Sequence, residues 1–136
     1  ATPQEAEAAI VGYTLVMDLS AGAAGDRDRF IESKQFPGAS PIGPAIVTAD
    51  EVVDARGVAM SLALNGVEVA SGAAYNQAEE LPARIANLSR AYAFRPGDLV
   101  CFPHSQDSAM SSCRLRAGDN VRVTLGGLMS LEVSVI

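Results

Sequence analysis

The chain has 136 residues, 49% of them hydrophobic and 19% charged, a balance that predicts one globular domain, residues 1–136, with a real core. A formal net charge of −6 and a pI near 4.6 oppose binding to nucleic acid or to an anionic membrane. Tryptophan is absent, aromatics make up only 5%, and no apolar run approaches a membrane span or a signal peptide, so a cytoplasmic protein is expected.

Residues 1–10 read as the start of a helix. Thr2 can cap it, Pro3 suits the first helical position, and Glu5 follows Thr2 at the spacing of a capping box. Glu5 and Glu7 form an E-x-E, a spacing that binds metals elsewhere. On a helix, residues two apart face different ways, so the pair reads as part of a capped surface helix.

GYTLVMDLS, residues 12–20, is an apolar, β-rich run that predicts a buried strand. Asp18 within it has to be hydrogen-bonded, ion-paired or metal-bound, because a lone buried carboxylate is costly. Residues 21–29 are small and polar and predict a loop. In SLALNGVEVAS, Leu62 and Leu64 alternate with smaller residues, Asn65-Gly66 suits a type I′ turn, and Val67 and Val69 alternate beyond it.

Leu81, Ile85 and Leu88 recur at helical spacing over 78–92, with Pro82 tolerable near the N-terminus. RPGDLV, residues 95–100, reads as a turn entering a strand. A turn at Gly118-Asp119 then separates two alternating strands, Val121, Val123 and Leu125, and Met129, Leu131, Val133 and Val135. The last strand is still alternating at the end of the sequence, and its apolar face needs a sheet or a subunit to cover it. Cys101 and Cys113 could form one disulfide, but their number and setting favour two free thiols in a reducing compartment. The sum is an α+β domain, predominantly β, with two or so helices.

The blocks GYTLVMDLSA, KQF, PIGPAIVTADEV, LNGVEVASG, LSRAYAFRPGDLV, LRAGDNVRV and GGLMSLEV occur in one order across nearly the whole chain. In that order they resemble the C-terminal catalytic portion of the fumarylacetoacetate hydrolase superfamily. The resemblance implies a mixed β-sheet roll or barrel, commonly dimeric. It also implies divalent-metal chemistry, with Mg²⁺ or alternatively Mn²⁺ or Ca²⁺, on acylpyruvates and related 2-oxo acids: C–C bond hydrolysis, decarboxylation or enol–keto isomerisation. A hard cation would chelate the oxo-carboxylate and stabilise the enolate.

Residue by residue, the resemblance makes Asp18 a metal ligand and Lys34 the catalytic cation that balances developing negative charge. Met17 stands where the family has asparagine, and Ser20-Ala21-Gly22-Ala23 stands in place of its S-A-R-D. Cys101-Phe102-Pro103-His104-Ser105 replaces a threonine- and glycine-bearing loop, with His104 and Ser105 as substitute donors to the substrate carboxylate. The family's own metal-binding E-x-E lies upstream, and the helical Glu5 and Glu7 do not match it. A segment outside this chain, in a homodimer or a hetero-oligomer, is therefore expected to supply the remaining ligands.

Three functions stay open on the sequence. One is the metal-dependent hydrolase or lyase. Another is a catalytically degenerate homologue serving as a structural or interaction subunit. The third is altered chemistry at His104 with the thiols of Cys101 and Cys113.

Overall fold

A computed structural model describes residues 1–21, 31–52, 54–74, 80–102 and 114–136. Helix α1 (Pro3–Ala9) begins with the expected box: the Thr2 hydroxyl accepts from the Glu5 N–H at 3.2 Å, and Glu5 Oε2 accepts from the Thr2 N–H at 2.7 Å. The Thr2 N–H first, and the Thr2 side chain second, hold the Glu5 carboxyl below its ordinary value. Glu5 is thus committed to the cap, as a surface-helix reading requires. Helix α2 (Leu81–Leu88) packs against α1, and each helix buries a small side chain, Ala6 and Ala86.

Helix α2 is shorter than the expected 78–92. The Ser89 hydroxyl donates to the Ala86 carbonyl at 2.7 Å, and residues 89–91 form a turn. A serine hydroxyl bonding back to a nearby carbonyl competes with helix continuation. Residues 78 and 79 of that expected helix lie outside the described residues, as does the loop expected over 21–29 apart from Ala21. The turn in RPGDLV is present, with the Asp98 carboxylate accepting from the Arg95 N–H at 2.8 Å. The strand expected after it is not: residues 98–102 carry no strand pairing among the described residues.

Strand β1 (Gly12–Val16) pairs antiparallel with β2 (Ile42–Thr48), and a register shift falls between Tyr13 and Leu15. The Thr14 hydroxyl donates to the Ala45 carbonyl at 2.7 Å beside that irregularity. Gly12 lies so close to β2 that a side chain there would overlap the Val47 carbonyl oxygen and come within 2.7 Å of Ile46 Cγ2.

The second sheet has the order β4-β3-β5-β6, all neighbours antiparallel, with β3 (Ala59–Leu64), β4 (Val67–Ala73), β5 (Asn120–Leu125) and β6 (Met129–Ser134). At the β3–β4 turn Asn65 and Gly66 both have positive φ, 51° and 80°, the backbone a type I′ turn demands. The Asn65 side chain then clips a second turn. Its amide donates to Asp119 Oδ1 at 2.9 Å, and its carbonyl accepts from the Asn120 N–H at 2.8 Å.

The core lies between the sheets. Leu15 and Met17 meet Val121, Val123 and Leu125 of β5 and Leu131 of β6, with Met60, Leu62, Leu64, Met129, Val133 and Val135 packed around them. Strand β5 sits between two neighbours and contributes half of these buried residues, whereas Arg122 on its other face ion-pairs with Glu132 at 2.8 Å. Strand β6 lies against β1 and β2, so the first sheet covers the apolar face that the sequence left in want of a partner. The predominantly β, α+β expectation therefore holds. No helix among the described residues is long and apolar enough to cross a membrane.

Two outcomes follow from these contacts. Gly12→Ala should destabilise the fold by about 1–3 kcal/mol in urea titrations, since the β2 backbone has to retreat. The Asp119 carboxyl is held below its ordinary value of 3.8, first by the Asn65 amide and then by the Arg116 N–H. A depressed folded-state pKa adds stability that is present above the unfolded value and lost as the pH falls through the folded one. Asn65→Ala should accordingly weaken the loss of stability on acidification below about pH 4, read from urea midpoints at a series of pH values.

Candidate active site

Strand β1 ends at Val16, but the extended backbone continues. The Met17 N–H donates to the Pro41 carbonyl at 3.0 Å, and the Leu19 N–H donates to the Ala39 carbonyl at 2.9 Å. Alternation along an extended chain sends Met17 and Leu19 into the core and turns Asp18 and Ser20 outward. Asp18 is therefore not the buried carboxylate expected of the apolar run, since its side chain is 67% exposed.

Lys34 ends a 3₁₀ turn, Glu32–Lys34, that the Ala21 N–H ties to this segment by donating to the Ser33 carbonyl at 2.7 Å. The Lys34 side chain, 24% exposed, brings Nζ within 2.8 Å of Asp18 Oδ1. The same Nζ donates to Ser20 Oγ at 3.0 Å. One ammonium thus bridges a carboxylate and a hydroxyl two residues apart on one side of an extended segment.

An ion pair this exposed stabilises a fold by no more than about 1 kcal/mol. The pair holds a positive charge beside a carboxylate. Sequence reasoning singled out Asp18 and Lys34, and the fold brings them together. It missed Ser20 as the third member, although the i, i+2 spacing on a predicted strand was a signal that Asp18 and Ser20 share a face.

Asp18 and Ser20 line an open cleft of ≈3150 Å³, whose other walls include Tyr13 of β1, Leu62 of β3 and Phe94. The same lining takes in the core residues Leu15, Met17, Val121, Val123 and Leu125, so this volume spans the space between the sheets rather than one ligand site. His104, Ser105 and Cys113 lie outside the described residues. Cys101 is a free, exposed thiol. The Arg84 guanidinium of α2 lies over the Phe102 ring, 5.7 Å from its centre.

The donor set suits one position around a hard cation. Asp18 is an exposed carboxylate, the ligand type such ions take, but divalent sites usually need more than one. Among the described residues no group of three or more His, Cys, Asp or Glu could hold a metal ion.

The profile of the fumarylacetoacetate (FAA) hydrolase C-terminal domain matches residues 1–136. The chain belongs to the fumarylacetoacetate hydrolase family. An uncharacterized protein of Staphylococcus haemolyticus is 28% identical over 130 residues, covering 93% of this chain and 43% of its own length. The chain therefore spans less than half of that curated relative.

Among solved structures, maleylpyruvate hydrolase from Sphingobium sp. SYK-6 superposes with a TM-score of 0.83 at 22% identity, over 100% of this chain and 48% of that one. The same enzyme in complex with manganese(II) and pyruvate gives a TM-score of 0.80. A fumarylacetoacetate hydrolase family protein from Yersinia pestis gives 0.81 at 25% identity, over 100% of this chain and 62% of that one. The family roll thus accounts for both sheets and both helices seen here.

Because the Asp18–Lys34 pair is exposed, Asp18→Ala should change the unfolding free energy by less than about 1 kcal/mol in urea titrations. A larger loss would assign the pair to the fold instead.

Proposed function

We propose that this chain supplies the lysine and one carboxylate ligand of a divalent-metal-dependent hydrolase or lyase acting on an acylpyruvate or related 2-oxo acid. The reaction class is C–C bond hydrolysis, decarboxylation or enol–keto isomerisation. The observation that carries this reading is the bridged ammonium: Lys34 Nζ lies 2.8 Å from Asp18 and 3.0 Å from Ser20, and those two acceptors line the cleft. Membership of the family and the likeness to an enzyme crystallised with manganese(II) and pyruvate support it.

A bound Mg²⁺, Mn²⁺ or Ca²⁺ supplies Lewis-acid stabilisation of the enolate formed from the 2-oxo acid. Asp18 offers it one carboxylate. Lys34 places a fixed positive charge where the substrate's oxygen becomes negative, and a charge already in position needs no reorganisation at the moment of reaction. The remaining ligands come from outside the described residues, delivered by another segment or subunit. A homodimer or a hetero-oligomer would serve.

With Mn²⁺ or Mg²⁺ and any natural partner present, the full-length protein should turn over an acylpyruvate. Lys34→Ala should lower kcat by about 100-fold, and Asp18→Ala should remove the dependence on metal. Unchanged activity in both variants would sink the assignment.

One observation favours a second reading, a degenerate structural or interaction subunit: the described residues hold no complete ligand set. Calorimetry separates the two. Stoichiometric Mn²⁺ binding by the complete assembly supports the enzyme, and no binding supports the subunit.

A further inference from the structure

Asn65-Gly66 is the one Asn-Gly pair in the chain; the other asparagines, Asn76, Asn87 and Asn120, precede Gln77, Leu88 and Val121. An asparagine followed by glycine carries its own reaction. The Gly66 nitrogen attacks the side-chain carbonyl carbon of Asn65, a C–N bond forms, the Cγ–Nδ2 bond breaks, and ammonia leaves a five-membered succinimide. Water then opens the ring. The net change is one amide and one water to one carboxylate and one ammonium, with no oxidation and no other co-reactant. Here the nucleophile is unshielded: both residues are exposed, and a Cβ built at Gly66 would meet nothing within 4 Å.

The fold opposes that reaction at this turn. Ring closure has to bring the Asn65 side chain back over its own glycine. Instead that side chain is held on the turn before β5, donating to Asp119 Oδ1 at 2.9 Å and accepting from the Asn120 N–H at 2.8 Å. Asp119 is itself anchored, since its Oδ2 accepts from the Arg116 N–H at 2.7 Å. The Asn65 N–H adds a backbone bond to the Asn120 carbonyl at 2.8 Å. Closing the ring breaks both side-chain bonds, and the one to Asp119 has a charged acceptor, the stronger kind.

We propose that Asn65 is a spontaneous deamidation site guarded by its clip to Asp119 and Asn120, and that conversion turns the Asp119 arm of the clip from attraction to repulsion. A carboxylate at position 65 has no N–H to give Asp119, and its charge faces that of Asp119 where an amide stood. Where the ring opens on its other side, the backbone gains a carbon and the two-residue turn between β3 and β4 loses its geometry. Neither product reverts once ammonia has left.

The test follows conversion at Asn65 by peptide mass spectrometry in protein incubated at neutral pH. Wild type unfolded in guanidinium gives the unguarded rate, and the folded protein should convert at least about 10-fold more slowly. Folded Asp119→Ala should recover most of that factor. Val123→Ala truncates a buried core residue away from the clip and should keep the slow rate. Asn65→Asp should have a lower urea midpoint than Asn65→Ala at neutral pH. Facing carboxylates have raised folded-state pKa values, so this deficit should shrink as the pH falls below about 4 and they protonate.

Equal rates in the folded and unfolded wild type overturn the guard, and that comparison needs no variant to fold. An Asp119→Ala rate at the wild-type value overturns it too. So does a Val123→Ala rate that matches Asp119→Ala, because general unfolding would then carry the reaction. Asn65→Asp as stable as Asn65→Ala at neutral pH overturns the repulsion.

Discussion

The antiparallel pairing of residues 12–21 with residues 33–48 is the constraint on which the rest depends. Strand pairing proper stops at Val16, but three further backbone bonds carry the extended conformation to Ala21. Extended backbone alternates, so the same stretch feeds Leu15, Met17 and Leu19 to the core and leaves Asp18 and Ser20 exposed. A one-residue slip would exchange the two sets, burying a carboxylate and exposing a leucine. Core and site thus share one register.

That register is supported from the other sheet. Strand β5 carries Val121, Val123 and Leu125 on the face that Leu15 and Met17 meet, with β6 completing the contact through Leu131. The burial is hydrophobic and long-range, and it fixes the β1 extension without calling on the ionic groups at its outer face. A site can hold opposed charges in water at little cost to the fold when packing elsewhere has already fixed the backbone. The Asp18–Lys34–Ser20 cluster has that character: an exposed carboxylate and serine, a lysine side chain 24% exposed, and backbone bonds that hold the segment.

Family membership fits this division. The blocks GYTLVMDLSA and PIGPAIVTADEV are the two sides of the first sheet and its extension, and LNGVEVASG and LRAGDNVRV are the two turns that Asn65 clips together. What the family resemblance marks out is therefore largely the scaffold that aims residues 18, 20 and 34. The missing arginine and aspartate of S-A-R-D fall at Gly22 and Ala23, just beyond the last described rung at Ala21.

The sequence by itself determined the features whose hydrogen bonds close within a few residues. The Thr2–Glu5 box, the Asn65-Gly66 turn, and the alternation of β5 and β6 needed only local spacing, and all three are present. Tertiary structure decided what local spacing leaves open. Asp18 reads as buried because its neighbours are apolar, yet which side of an extended residue faces the core depends on the sheet opposite. Ser20 reads as the polar end of a predicted strand until the Ser33 turn arrives beside it. The end of α2 at Leu88 was settled by serine competition, and residues 98–102 find no strand pairing among the described residues, neither visible in hydrophobic periodicity. Local propensity acts over a turn of backbone; the meeting of residues 18, 20 and 34 is set by strand pairing across the chain, and only the folded molecule contains it.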